Sequence, residues 1–167
     1  MRAYFTKLLL SFALLSFTIP ANAAEIGKEL KIGVGIGGGT LTSGLSGKYY
    51  IGKIFGKNSA VQAVVGANGW GFGLGADFVM DAGMVFDDAS GKVLWGFGGG
   101  ASMIQYNVLG EQLNYIGVNG LIQGAYHVKD FPIEIVLDYR PTFFLGNAGG
   151  ISGLYLFGGA GAVRYYF

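Results

Sequence analysis

The chain has 167 residues, 51% of them hydrophobic, 15% aromatic and 13% charged, with 32 glycines, no cysteine and a formal net charge of +1. The lack of cysteine excludes a disulfide framework, a thiolate metal site and a lipid-modified Cys anchor, and the near-neutral charge leaves no basic stripe for a nucleic-acid partner. So apolar a composition does not suit an ordinary soluble domain, yet beyond Ile19 no uninterrupted apolar stretch reaches the length of a membrane-spanning helix.

At the N-terminus Arg2 and Lys7 flank the start of an apolar run, Leu8–Ile19, followed by Pro20 and by Ala21-Asn22-Ala23. This is the order of a secretory signal with cleavage after Ala23. The rival reading, a transmembrane anchor, needs ~20 apolar residues, and the run is too short for it. Removing 23 of 167 residues leaves 144, one domain over residues 24–167 with nine basic and ten acidic side chains, a formal charge of −1.

Period-two alternation organises that domain. The first predicted strand, about Leu30–Gly39, sets Leu30, Ile32, Val34 and Ile36 against Lys31, Gly33, Gly35 and Gly37. Its Gly33-Val34-Gly35-Ile36-Gly37-Gly38 has glycine spacings of a phosphate-cradling loop, but such a loop must open a helix, and no helical pattern follows. Glycines facing a tightly packed interior are the simpler reading. The next strands fall at about Leu45–Phe55 and Ala60–Asn68, separated by Gly56-Lys57-Asn58-Ser59. From Trp70 to Phe86 every even position is apolar while the odd ones include Gly71, Gly73, Gly75, Asp77, Asp81 and Gly83. This fourth strand exceeds the ~9 to 11 residues that cross a bilayer, so it should project beyond the membrane or bend at Gly83.

Four more strands follow at about Val93–Tyr106, Tyr115–Val128, Ile133–Leu145 and Leu154–Phe167, with breakers at Asp87-Asp88-Ala89-Ser90-Gly91, Lys129-Asp130-Phe131-Pro132 and Gly146–Gly150. Pro141 lacks the N–H a ladder needs, so a bulge or an early strand end is expected there. The extracellular loops are expected near residues 40–44, 107–114 and 146–153. Eight amphipathic strands without a helix predict an all-β, eight-stranded antiparallel up-and-down transmembrane barrel, with an oily exterior and a small or polar interior.

Parity then assigns the inward face: Lys31, Lys48, Gln62, Asp77, Asp81, Asn119, Gln123, His127, Glu134, Asp138, Arg140 and Arg164. Buried charges of both signs must pair, and an eight-stranded bore is just wide enough for side chains to fill. The expectation is a lumen plugged by salt bridges, with Lys48, Asp77, His127, Glu134, Asp138, Arg140 and Arg164 as its polar network; an ion or proton path is the functional alternative. A tight turn at Lys129–Pro132 predicts residue-number sums of 261 across the sixth and seventh strands, and sums near 298 across the next pair. Together these make a row of His127, Glu134 and Arg164. His127, the single histidine, is the natural general base for a hydrolase serine, but its parity points inward and its place is beside the short turn, on the side of both chain termini. Tyr139, Tyr155, Tyr165, Trp70 and Trp95 suit aromatic girdles at the membrane interfaces.

Gly44-Leu45-Ser46-Gly47-Lys48-Tyr49-Tyr50, Phe131-Pro132-Ile133-Glu134-Ile135 with Pro141 after it, and the ending Gly158–Phe167 resemble small outer-membrane barrels of the BAPKO-like type, related in architecture to OmpX and the OmpA transmembrane domain. The resemblance implies an integral barrel of the Gram-negative cell envelope without a defined catalytic site. It also implies that Val163, Tyr165 and Phe167 form the C-terminal signal read by the barrel assembly machinery. Lipid A deacylases of this architecture, by the same resemblance, work from an outward-facing site near the outer leaflet, the wrong face and the wrong end for His127. The functional expectation is a non-enzymatic outer-membrane protein with a structural or surface-interaction role, surrounded by outer-membrane lipid and needing no metal or cofactor. An enzyme acting on lipid A or phospholipid is the alternative. A soluble lipocalin-like carrier is the third possibility, and it requires an apolar lumen and a polar exterior.

Overall fold

A computed structural model describes residues 25–40, 42–68, 71–108, 111–145 and 153–167. The proposed signal peptide and Trp70 lie outside these residues. The described residues hold ten strands and no helix: β1 (Ile32–Gly39), β2 (Ser43–Ile54), β3 (Lys57–Asn68), β4 (Gly71–Asp87), β5 (Gly91–Val108), β6 (Glu111–Val128), β7 (Ile133–Tyr139), β8 (Thr142–Phe144), β9 (Gly153–Tyr155) and β10 (Gly159–Tyr166). Strands β7 and β8 are two pieces of one stave, and β9 and β10 of another, so ten segments build a closed, eight-stranded antiparallel barrel. Each stave pairs with its sequence neighbours, and β1 closes on β10 with Gly33 opposite Tyr166.

Alternation works as the pattern dictates. Ile36 and Leu137 are 69% and 72% exposed on the outer wall, while Glu134, Arg164 and Lys48 retain 0%, 2% and 2% inside. The β1–β10 pairing closes the wall on itself. Both predicted register sums hold: His127 faces Glu134, Gln123 faces Asp138, and Glu134 faces Arg164.

Several local expectations need correction. Residues 57–59 belong to β3, because the turn before it is the two-residue Phe55-Gly56. Their φ values of 51° and 75° fit the type I′ turn whose twist matches flanking strands. The loop expected at residues 107–114 is largely strand, since β5 runs through Val108 and pairs it with Glu111, extending the ladder past its neighbours. The seventh stave breaks at Arg140-Pro141, as the proline predicts, yet its register with β6 survives: Ile122 faces Tyr139 before the break and Asn119 faces Thr142 after it. Gly120 N–H still donates to the Pro141 carbonyl at 3.1 Å, and only the return bond is lost.

The last stave is interrupted too, where a continuous strand was expected. Glu134 pairs with Arg164 on β10, a sum of 298, but Phe143 pairs with Leu154 on β9, a sum of 297. A one-residue slip reverses the facing of side chains, and it is absorbed at residues 156–158, where Leu156 and Phe157 are 47% and 85% exposed. In β4 the pairing shifts between Asp81 and Gly83 and again between Met84 and Phe86, so the long strand is irregular around Gly83. Lys31 is exposed and precedes β1; alternation had assigned it to the interior by starting the strand at Leu30.

Candidate functional site

Chemically capable side chains converge in the lumen, and they do so in layers. Near the end that carries the termini, Glu134 on β7 is a fully buried carboxylate with four donors around it. Its Oε1 accepts from Lys48 Nζ on β2 at 2.7 Å and contacts His127 Nε2 on β6 at 3.2 Å. Its Oε2 accepts from Arg164 Nη1 at 2.9 Å and Tyr166 Oη at 2.8 Å, both on β10. Charge-assisted hydrogen bonds of this kind are about twice as strong as neutral ones, and here they tie three staves to a fourth.

Arg164 extends the network. Its Nε donates to Ser46 Oγ at 2.9 Å and its Nη2 to Gln62 Oε1 at 3.2 Å. Gln62 Nε2 in turn donates to Asp77 Oδ2 at 3.4 Å, a long bond that reaches the second centre. There Arg140 lies between two carboxylates, bonding Asp77 Oδ2 through Nη1 at 2.8 Å and Asp138 through Nη2 at 2.9 Å and Nε at 3.2 Å. Asn119 Nδ2 completes Asp77 by donating to Oδ1 at 2.8 Å. One connected lattice of β2, β3, β4, β6, β7 and β10 side chains thus fills the bore. It brings together all seven residues expected to form the network: Lys48, Asp77, His127, Glu134, Asp138, Arg140 and Arg164.

Glycine makes the room. A Cβ built at Gly33 would lie 2.6 Å from the Tyr166 ring, so only glycine lets that ring fold inward over β1 and reach Glu134. Two apolar layers bound the lattice. Towards the termini Tyr50 and Tyr166 stack at 6.1 Å with Ile26 and Ala60 buried against them, and Lys48 Nζ lies 4.7 Å from the Tyr50 ring centre. At the other end Ile104 is buried, and Tyr115 makes edge contacts at 6.0 Å with both Tyr106 and Phe144.

Sequence reasoning missed Ser46, Tyr50 and Tyr166 as lumen residues. Their parity with Lys48 and Arg164 was the available signal. His127 is 3% exposed, its Nε2 is engaged by Glu134, and its Nδ1 has no hydrogen-bond partner among the described residues. Among those residues the side chain bonded to His127 is Glu134 rather than a serine. No grouping of three or more His, Asp or Glu residues that could hold a metal occurs among them either. Val163 and Phe167 face outward, 46% and 40% exposed, and Tyr165 packs on Phe167 at 5.1 Å. Trp95 and Tyr139 are likewise on the outer wall.

Outside the wall, the turn before β5 is set by Asp88. Its Oδ1 accepts from Ser90 N, Ser90 Oγ and Gly91 N at 2.8, 2.7 and 3.0 Å, and these bonds hold its carboxyl below the ordinary range. Lys129 Nζ bonds the Asp88 carbonyl and pairs with Asp87 at 2.6 Å, joining two neighbouring turns.

Compared with protein-family models, curated proteins and solved structures, the chain matches none of them.

Proposed function

We propose that the protein is an integral component of the bacterial outer membrane, exported by a signal peptide cleaved after Ala23, with a structural or surface-interaction role and no enzymatic one. The observation that carries this reading is the inversion of polarity between the two faces of the wall. Leu137, Ile36 and Ile122 point outward at 72%, 69% and 56% exposure, while Lys48, Glu134 and Arg164 are sealed inside at 2%, 0% and 2%. A water-soluble carrier needs the opposite arrangement, whereas a closed barrel with an apolar exterior satisfies every backbone group in lipid.

The lattice supports a plug. Its cations Lys48, Arg140 and Arg164 are matched in number by its carboxylates Asp77, Glu134 and Asp138 and bonded to them across the bore. His127 supports a structural role, since it is held by Glu134 behind the wall and away from any lipid substrate. Kinship with OmpX-like barrels and recognition of Val163, Tyr165 and Phe167 by the assembly machinery are parts of the same proposal.

Membrane fractionation tests it. The protein should sediment with outer membranes, require detergent for extraction and migrate as a heat-modifiable band. In planar bilayers it should show no steady porin-sized conductance. Recovery as a soluble protein overturns the membrane assignment, and reproducible large channels overturn the plug.

A further inference from the structure

Residues 25–30, just before β1, form a compact turn. Gly27 N–H bonds the Leu30 carbonyl at 2.9 Å, and the Lys28 and Glu29 N–H groups bond the Glu25 carbonyl at 3.1 and 3.0 Å. Gly27 has a φ of +86°, where a side chain is strained, and a Cβ there would lie 3.2 Å from the Tyr50 ring. The turn aims Ile26 into the barrel mouth, where it is 6% exposed against Tyr50, Ala60 and Tyr166, with Leu30 packed beside it. Immediately beneath, Tyr166 Oη donates to Glu134.

The segment also spans the mouth. It leads into β1, yet Glu25 Oε1 pairs at 2.6 Å with Lys92 of β5. In the ring order β1, β2, β3, β4, β5, β6, β7, β10, the staves β1 and β5 are opposite one another. A contact between an extension of one and the base of the other crosses the diameter. The remaining Glu25 oxygen pairs with Lys28 at 2.6 Å within the turn itself, which keeps the carboxylate oriented towards Lys92.

We propose that Glu25–Leu30 is a releasable stopper of the terminal mouth, with Ile26 as its plug and the Glu25–Lys92 pair as its latch. Its release admits water to the Tyr50–Tyr166 shelf above the Glu134 centre without opening a channel through the lattice. The inference goes beyond the proposed function and does not depend on the membrane the barrel occupies. Two interactions of different kinds hold the stopper. The apolar contact strengthens with buried area, whereas the latch, partly buried at Lys92 but open to solvent at Glu25, weakens with salt.

The chain has no cysteine, so a single reporter thiol can be placed at Ala60, which lies 1% exposed under Ile26. The rate at which a small water-soluble methanethiosulfonate modifies folded, heat-modifiable A60C protein reads the stopper directly. Lys92→Gln should accelerate modification about two- to fivefold, the scale of an exposed ion pair. High salt should accelerate the parent by a similar factor and leave the Lys92→Gln variant unchanged. Ile26→Ser should accelerate it about thirtyfold or more, as expected for loss of a buried aliphatic side chain, while Lys53→Gln, which touches no part of the stopper, should have no effect. Fast labelling of the parent, or equal rates in the parent, Lys92→Gln and Ile26→Ser, overturns the proposal. Lys92→Gln leaves the apolar contact in place, so the test does not depend on Ile26→Ser folding.

Discussion

The two charged centres of the lumen are inverses of one another. Around Glu134 one carboxylate is encircled by Lys48, Arg164, His127 and Tyr166; around Arg140 one guanidinium is clamped by Asp77 and Asp138. Taken alone, the first centre has two obligate cations for one anion and the second has two anions for one cation. Neither is balanced within itself, but the three hydrogen-bonded cations and three carboxylates of the two centres match in number, and Gln62 connects them by accepting from Arg164 and donating to Asp77. Charge balance in this interior is therefore a property of the whole lattice. A buried ion pair is costly to desolvate and is retained only with its remaining hydrogen bonds filled. Here an amide carries that requirement across two strands.

The largest way to break the comparison is at the encircled anion. Glu134→Ala leaves Lys48 and Arg164 buried without a counter-charge, and should lower the unfolding free energy by about 3 to 5 kcal/mol, measured by urea titration in lipid vesicles. Arg140→Met strands two carboxylates, but Asp77 keeps Asn119 and Gln62. Its cost in the same assay should be about 3 kcal/mol, the lower end of that range. A double-mutant cycle between Glu134→Ala and Arg164→Met should return a coupling of about 1 to 3 kcal/mol, and simple additivity would remove the pair. Gln62→Leu should cost about 1 kcal/mol. More tellingly, it should abolish any coupling between Glu134→Gln and Arg140→Met, which separates one lattice from two independent centres.

The smallest effect lies outside the bore. Glu25 is held below the ordinary carboxylate range by its bonds to Lys28 and then Lys92. A depressed carboxyl contributes stability that is fully present above its ordinary pKa of about 4.5 and is lost as pH falls through the lower, folded-state value. Acidification should therefore loosen the turn before it reaches the barrel. Because the carboxylate is well exposed, the effect should stay within about 1 kcal/mol; it would be seen as faster amide exchange at Lys28 to Leu30 in wild type but not in Glu25→Gln.

Much of this architecture was legible in the sequence, because an interior of side-chain charge imposes parity as strictly as an apolar core does. His127, Glu134 and Arg164 could be aligned from one short turn and two register sums; the sum of 261 survives the proline, whereas that of 298 falls to 297 beyond it. What was not legible depends on exact strand ends and on size. Lys31 shares parity with the lumen, but the stave begins one residue later. Tyr50 and Tyr166 share the parity of Lys48 and Arg164, but their rings also suit a membrane girdle, and the room that Tyr166 needs inside is left by a glycine more than a hundred residues away. The one-residue slip between β9 and β10 leaves no trace in the alternation of Leu154–Phe157, all four of which are exposed. The turn of residues 25–30 has no periodicity to announce it.

The Lys48–Glu134 contact has a consequence for assembly. Its partners sit on β2 and β7, on either side of the seam where the first and last staves meet, β1 against β10. A seam mispaired by two residues would keep all outward residues outward and all inward ones inward, so the alternation of faces alone would not distinguish it from the correct closure. It would, however, displace Lys48 from Glu134 by about 7 Å along the wall at ~3.4 Å per residue, and take the Tyr166 ring off Gly33. A 2.7 Å ion pair cannot stretch that far. A cylinder joined in the wrong register would thus be left with buried, unmatched charge, a penalty that the correct closure alone avoids.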